Sequence, residues 1–369
     1  MKAIALVPGT TTLRLVNRPV PSVTAPEGVM LRVLCVGICG TDREEAAGGR
    51  AAGPAGQHEL VVGHEMVGRV VEVGRAVTRV QPGDYAVFTV RRGCKQCLPC
   101  AMNRPDMCRT GNYCERGIWG LDGYQAEYVV DREQDVVRVP PELKSVGVLT
   151  EPLSVAEKAI DETVRLQSAR LPDAPATPDW LQDRRCLVVG LGPIGLLAAV
   201  ALRLRGAEVY GLDVVDSASA RPQWLTGIGG HYVDGRKVPV DRIDAALGPV
   251  ELIFEATGIA ALEFNLLDAL APDGIFVLTG IPGGDRPLEV PGAGLIRRMV
   301  LDNQVMVGSV NAARDHFQMA VNDLAYAQLR WGDHVEQLIT HRYPFTDFEA
   351  ALRQHPADEI KSVIQWAAD

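Results

Sequence analysis

Arg185-Cys186-Leu187-Val188-Val189-Gly190-Leu191-Gly192-Pro193-Ile194-Gly195 decides the fold of this 369-residue chain. An apolar run ends in Gly-x-Gly-x-x-Gly and opens an Ala/Leu-rich segment that reaches Arg205. The run reads as a buried strand and the segment after it as a helix. Gly190 permits the tight turn, Gly192 lets the backbone approach a pyrophosphate, and Gly195 lets the helix pack closely on the strand. Pro193 and Ile194 begin the helix, whose unpaired N–H groups attract phosphate. The spacing alone is a weak signal, and a ligand-free glycine turn is the competing reading. The strand–turn–helix context favours a dinucleotide. Glu208 to Asp213 reads as a second strand, and Asp213 ends it where a carboxylate can bind the adenosine ribose.

The pattern continues outward from this stretch. Leu252 to Gly258 is a strand, residues 261–271 a helix, and Gly274 to Gly280 another strand. Alternating strands and helices predict a doubly wound parallel sheet, an α/β domain of Rossmann type, over residues 185–310. Before it, residues 169–180 carry three prolines and read as a boundary loop. Residues 1–150 are mostly short strands and turns, among them Val29–Val36, Leu60–Gly74, Tyr85–Phe88 and Gly123–Val130. Glu151 to Ile160 starts a helix with Pro152 in its first turn. The chain after 311 returns to helices and ends in a strand, Lys361–Trp366. The expected division is 1–184, 185–310 and a returning 311–369.

Composition restricts the function. A hydrophobic content of 47% and a charged content of 22% fit a globular protein with a full core. A formal net charge of −9 without a basic tract argues against nucleic acid as the partner. Charges or Gly/Pro interrupt every apolar run before it reaches membrane-spanning length. The first residues lack the pattern of a secretion signal, so a cytoplasmic location is expected, where clustered cysteines usually mean metal.

Half of the eight cysteines fall in one polar segment. Cys94, Cys97, Cys100 and Cys108, in a lobe over 92–115, are spaced so that a loop can wrap one tetrahedral ion. Four thiolates leave no open coordination position, so the ion's role is structural. An iron–sulfur cluster and a disulfide set are the alternatives. Cys35 and Cys186 lie in apolar runs and read as core. Cys39, His64, Glu65 and Glu151 each end a strand or turn, and Thr41 or Asp42 can cap a short helix. Far apart in sequence, they do not assemble a site by spacing alone.

Gly37-Ile38-Cys39-Gly40-Thr41-Asp42, Gly63-His64-Glu65-Met66-Val67-Gly68, the cysteine lobe and the glycine fingerprint together resemble the zinc-dependent medium-chain dehydrogenase/reductase superfamily. Glu115-Arg116-Gly117-Ile118, Glu151 through Ala159, and Val307-Gly308-Ser309-Val310-Asn311-Ala312 with His316-Phe317 are similar to its glucose dehydrogenase branch known from archaea. The resemblance covers essentially the whole chain. It implies a mostly β, GroES-like catalytic domain beside the Rossmann domain, and two zinc ions per chain. The catalytic zinc would be held by Cys39 and His64, with Glu65 and Glu151 as exchangeable ligands. Thr41 would relay the substrate proton. Glu115, Glu151, Asn303 and Asn311, with Thr41, would contact the sugar. The expected reaction is oxidation of an aldose at C1 to the aldonolactone, with hydride passed to a nicotinamide cofactor. A related polyol or alcohol dehydrogenase, or a catalytically silent dinucleotide-binding protein, are the alternatives. Relatives in this branch commonly accept NADP, whereas Asp213-Val214-Val215 here points to NAD, with NADP possible. The resemblance also implies a homodimer or homotetramer.

Overall fold

The computed structural model describes residues 1–284 and 287–367. Met1–Ser154, Asn311–Leu329 and Val335–Asp369 form one compact unit. Val155–Val310 and Arg330–His334 form the other.

The second unit is built on six parallel strands. In chain order they are β1 (Arg185–Val189), β2 (Glu208–Asp213), β3 (His231–Asp234), β4 (Val250–Glu255), β5 (Leu270–Leu278) and β6 (Val305–Gly308). Their order across the sheet is β3-β2-β1-β4-β5-β6, and every pairing is parallel. The chain therefore starts mid-sheet and winds outward twice, which leaves a switch point beside the carboxyl end of β1. Leu187, Ile253 and Phe276 are buried and lie in one core cluster with Leu212 and Leu266. The apolar strands become strands because helices cover both faces of a parallel sheet.

The division at Ser154/Val155 differs from the expected 184/185. Its cause is the helix Thr150–Arg170, which runs unbroken for 21 residues. Near its end Gln167 donates to the Asp273 carbonyl (2.8 Å) and Arg170 to the Asn303 carbonyl (2.7 Å). Residues 155–184 are thereby bonded to the parallel-sheet unit. The segment Arg330–His334 joins the same unit because Trp224 donates its indole N–H to the His334 carbonyl (2.8 Å) and stacks on the His334 ring.

In the first unit, one path of strands runs Val136–Val139, Tyr85–Phe88, Glu65–Val73, Gly28–Gly37, Lys361–Gln365, Ile339–Pro344. Tyr128–Arg132 also pairs with Gly28–Gly37. Two registers matter for the site. Gly37 lies opposite Glu65 on one side and opposite Val363 on the other. The end of the long strand Gly28–Gly37 thus brings three distant segments together.

A second small sheet, Arg91–Arg92, Cys114–Arg116 and Gly120–Leu121, carries the cysteine lobe. Asp131 anchors it. Arg92 and Arg116 both donate to Asp131 Oδ2, from 2.5 and 2.7 Å. Burial would raise the Asp131 carboxyl, but Arg116 and Arg92 outweigh it and hold the group down at about 2. A depressed carboxylate contributes stability that is complete above its unfolded value near 4 and is lost as pH falls toward 2. From pH 5 to pH 3 the wild type should therefore lose about 1 kcal/mol more than Asp131→Asn in urea unfolding followed by fluorescence. Equal losses in the two proteins would remove this role from Asp131.

Candidate active site

Cys39 lies just beyond the strand Gly28–Gly37 and serves as N-cap of the short helix Gly40–Ala46. The cap differs from the expected Thr41 or Asp42. Asp42 instead sits one turn in and accepts the Cys39 backbone N–H at 2.7 Å, which fixes the thiol-bearing residue. Thr41 Oγ1 lies 3.9 Å from Cys39 Sγ. His64 and Glu65 enter from the start of the strand Glu65–Val73. One donor atom from each of Cys39, His64 and Glu65 lies within 4.8 Å of the others. Glu151, in the first turn of the helix Thr150–Arg170, is buried nearby but outside this donor set.

Two residues that sequence reasoning did not assign hold the set together. Lys361 is 2% exposed, forms an ion pair with Glu65 Oε2, and donates to the Ile38 carbonyl at 2.8 Å. Gly37 makes room for that pair: a Cβ there would stand 2.1 Å from Glu65 Oε2 and 3.0 Å from Lys361 Cε. Asp42 Oδ1 faces His64 Nδ1 at 3.5 Å. Burial alone would lower the His64 imidazole, but the Asp42 carboxylate raises it well above its ordinary value. The motif Cys-x-x-Asp carried a local signal for Asp42, as a capping pattern. Lys361 carried none, because its partner is brought to it by strand pairing.

The surroundings are short of positive charge. Burial pushes the Glu151 carboxyl up to about 7, with the His64 charge opposing and Glu65 adding to the shift. Burial and then Asp42 push Glu45 up to about 9, and neither Glu45 oxygen has a hydrogen-bond partner among the described residues. A thiol, an imidazole and a carboxylate in reach of one point, amid buried acids, fit a divalent zinc ion. The contacts of Asp42 with His64 and of Lys361 with Glu65 orient two of those donors, as metal sites require.

In the lobe, the thiol sulfurs of Cys94, Cys97, Cys100 and Cys108 lie within 4.8 Å of one another, and none is in a disulfide. Backbone N–H groups of Gln96 and Cys97 point at Cys94 Sγ from 3.4 Å. This closed sulfur set fits a structural zinc ion.

A polar wall adjoins the His64 turn. Asn311 Nδ2 donates to Glu115 Oε1 at 3.0 Å, and Arg91 donates to the same oxygen through two nitrogens at 3.1 and 2.8 Å. Glu115 Oε2 has Arg50 at 3.7 Å. The backbone at Gly117 packs against that of Gly63, so this strand ends beside His64. Asn303, expected in the same wall, is part of the other unit. It lies in a turn with φ 50° leading into β6, at the amino end of the parallel strands, where its carbonyl accepts from Arg170. The reason is that the helix Gly292–Leu301 must reverse before β6 begins. His316 is structural: its Nδ1 accepts the Ala313 N–H at the start of a helix.

At the nucleotide turn, Gly190 has φ 87°. A Cβ on Gly195 would stand 1.9 Å from the Gly190 carbonyl oxygen, whereas one on Gly192 would meet nothing within 4 Å. Gly195 is required by packing and Gly192 faces free space, as a pyrophosphate cradle needs. Gly192 caps the helix Pro193–Leu204, so Pro193 and Ile194 form its first turn. Asp213 accepts the Leu191 N–H (2.9 Å) and the Val214 N–H (2.7 Å), one on each oxygen. Arg221 lies 3.9 Å from Asp213 Oδ2, so the loop 216–220 does fold back toward the site. Glu255, fully buried and not singled out from sequence, accepts from the Thr257 and Gly258 N–H groups and shapes the turn after β4.

Residues 25–141 match the family model described as the alcohol dehydrogenase GroES-like domain, and residues 144–366 match that of the glucose dehydrogenase C-terminus. The chain belongs to the glucose dehydrogenase family. It is thereby a zinc-dependent medium-chain dehydrogenase, with the GroES-like and Rossmann folds that the sequence led us to expect. A curated relative, the glucose 1-dehydrogenase of Halobacterium salinarum, is 40% identical over 369 residues, covering 99% of each chain. The glucose 1-dehydrogenase of Methanocella arvoryzae is 35% identical over 370 residues, covering 100% of each. Among solved structures, the glucose dehydrogenase of Haloferax mediterranei in complex with NADP, Zn and gluconolactone superposes with a TM-score of 0.89 at 33% identity, covering 100% of both chains.

In this family member the buried Lys361–Glu65 pair generates a direct test. Removing one partner of a buried pair leaves a charge without compensation, at a cost of roughly 3–5 kcal/mol. Lys361→Met should therefore destabilise the metal-stripped protein by about that amount in chemical denaturation. Its zinc-loaded form should lose less, because the ion then compensates Glu65. Equal stability of wild type and variant without metal would refute the assignment.

Proposed function

We propose that the protein is an aldose 1-dehydrogenase that oxidises glucose or a related sugar to its aldonolactone with a nicotinamide cofactor. One observation carries the reading: the donor set Cys39, His64 and Glu65 occurs in the same unit as a polar wall made by Glu115 and Asn311. Each sugar hydroxyl that leaves water needs a partner, and a site for a simple aliphatic alcohol would be lined by apolar groups instead. Family membership and relatives named glucose 1-dehydrogenase support the same substrate class.

The sugar C1–H bond supplies the hydride and the C1 hydroxyl supplies the proton, so the sugar loses two electrons and the cofactor gains them. Zinc, when bound, is a Lewis acid that makes a neighbouring hydroxyl more acidic. Cys39, His64 and Glu65 would hold it, with Glu151 near enough to exchange as a ligand. Asp42 and Lys361 keep His64 and Glu65 in position. Thr41 would relay the hydroxyl proton: Oγ1 accepts it as its own O–H proton passes on to solvent. Glu115 Oε2, Glu151 and the Asn311 amide would bind the remaining sugar hydroxyls and orient C1. Cys94, Cys97, Cys100 and Cys108 would hold a second, structural zinc. A cytoplasmic setting is supported by eight cysteines of which none is in a disulfide. No described helix is long and apolar enough to cross a membrane. Assembly as a homodimer or homotetramer is part of the proposal, on superfamily analogy.

Initial rates on a panel of aldoses, open-chain polyols and simple alcohols test the reading, together with metal analysis. The expected result is a preference for aldoses, two zinc ions per chain, and loss of rate on chelation. Asn311→Ala should lower kcat/KM for aldoses from a few-fold to about tenfold, as for one lost hydrogen bond, with cofactor affinity retained. A preference for alcohols would replace the substrate class, and one zinc in fully active protein would remove either the structural or the catalytic ion.

We further propose that NAD is preferred and NADP accepted less efficiently. Asp213 can accept hydrogen bonds from both ribose hydroxyls, and it would repel a 2′-phosphate. Val214 and Val215 offer that phosphate no cation. Arg221, beside Asp213, is what keeps NADP within reach. Asp213→Asn with Val214→Arg should move the ratio of kcat/KM values toward NADP. A wild-type enzyme that uses NADP more efficiently than NAD would overturn this part alone.

A further inference from the structure

A cavity of about 480 Å³ lies under the cysteine lobe, on the first unit and apart from the Cys39–His64–Glu65 set. Seven cationic and three acidic side chains line it, a surplus of four positive charges on a chain whose formal charge is −9. Most of these cations have internal partners. Arg92 and Arg116 share Asp131, Arg91 is held by Glu115, and Arg132 has Glu27 at 3.8 Å. Arg79, Lys95 and Arg314 differ in degree: among the described residues no carboxylate stands within ion-pair distance of their side chains, although Glu133, which accepts the Arg79 backbone N–H at 2.6 Å, and Asp315 act on Arg314 from farther off.

These three come from separate segments: the approach to the Gln81–Asp84 turn, the loop of the cysteine lobe, and the first turn of the helix Arg314–Trp331. Arg314 is fixed by a hydrogen bond from Nε to the Val136 carbonyl at 3.0 Å, which leaves its terminal nitrogens free of a described partner. Burial and then Arg79 lower the Arg314 guanidinium from its ordinary value, with Asp315 and Glu133 opposing. With seven cations against three acids in its lining, the cavity is positive on balance, which favours an anionic ligand. The amino end of an 18-residue helix adds its partial positive charge at the same place. Met102, Pro105 and Leu121 supply an apolar part of the lining, and the volume falls within the range of small-molecule sites and exceeds the need of an inorganic ion.

We infer that this cavity binds a small phosphomonoester, with the phosphate held by Arg79, Lys95 and Arg314 and the organic part laid against Met102, Pro105 and Leu121. Guanidinium pairs suit phosphate because their donors bind its oxygens in parallel. Arg91, Arg92 and Arg116, already paired with Glu115 and Asp131, serve as scaffold. The site is independent of the proposed sugar oxidation.

Calorimetric titration of the zinc-loaded protein with glycerol phosphate, at low salt and with saturating NAD to block the nucleotide turn, tests this. Saturable one-to-one binding is expected, at least about tenfold weaker in Arg79→Gln/Arg314→Gln and in Lys95→Gln, with zinc content and sedimentation unchanged. Inorganic phosphate is expected to bind the same residues more weakly. Equally tight binding of inorganic phosphate would overturn the ester and leave free phosphate as the ligand. Absence of saturable binding, or equal affinity in the variants, would overturn the site. A change of sedimentation coefficient in the variants without ligand would overturn it in favour of a contact between copies of the chain.

Discussion

The ion pair between Lys361 and Glu65 sits where the first unit closes on itself. Lys361 belongs to the strand Lys361–Gln365, and Glu65 opens the strand Glu65–Val73. Between them runs Gly28–Gly37, whose last residue has no side chain. Any Cβ at Gly37 would occupy the space that Glu65 and Lys361 share. One missing methyl group thus allows a buried charge pair, and the pair fixes a carboxylate beside a thiol and an imidazole. In a low-dielectric interior such a pair is of uncertain net value for stability, since a well-packed apolar replacement can do as well. Its consequence here is positional. Lys361 holds the Glu65 carboxylate within reach of the Cys39 and His64 donors.

Most of the fold was legible because its signals are local. The glycine fingerprint, the apolar strand before it and Asp213 after it are consecutive in the chain, and β1, β2 and the intervening helix lie where they indicated. The cysteine lobe was legible for the same reason, four donors within one loop. The junction between units was harder. Prolines at 172, 175 and 178 mark a loop, but the two units divide earlier, within a continuous helix. Composition reports where a chain turns, whereas a unit boundary is set by which carbonyls the end of that helix can reach.

The active-site residues divide in the same way. Cys39, His64 and Glu65 were named from motifs, but their convergence was supplied by resemblance and then found in the register of two strand pairings. Asp42 was visible as a cap residue and acts on Cys39 and His64 rather than on its own helix alone. Lys361 and Glu255 were invisible. Both are charged residues in apolar strands, a pattern that by itself says no more than that a partner must exist. Asn303 erred in the opposite direction. Proximity in sequence to the Val307–Ala312 motif drew it into the sugar wall, while the length of β6 carries it to the far end of the sheet.

The distribution of charge separates two environments within the first unit. Around the donor set, Asp42, Glu45, Glu65 and Glu151 are buried, and Lys361 is the buried cation that answers them. Burial raises both Glu45 and Glu151, with Asp42 adding to the first and Glu65 to the second. Under the lobe the imbalance is reversed, with guanidiniums exceeding carboxylates. The Arg91–Glu115–Asn311 wall lies at the junction of the two. Arg91 belongs to the cationic group, yet it is bound to the carboxylate that faces the sugar side. Arg91 and Asn311 hold Glu115 Oε1 and Arg50 stands 3.7 Å from Oε2, so cations of the lobe fix the carboxylate that the polar wall presents.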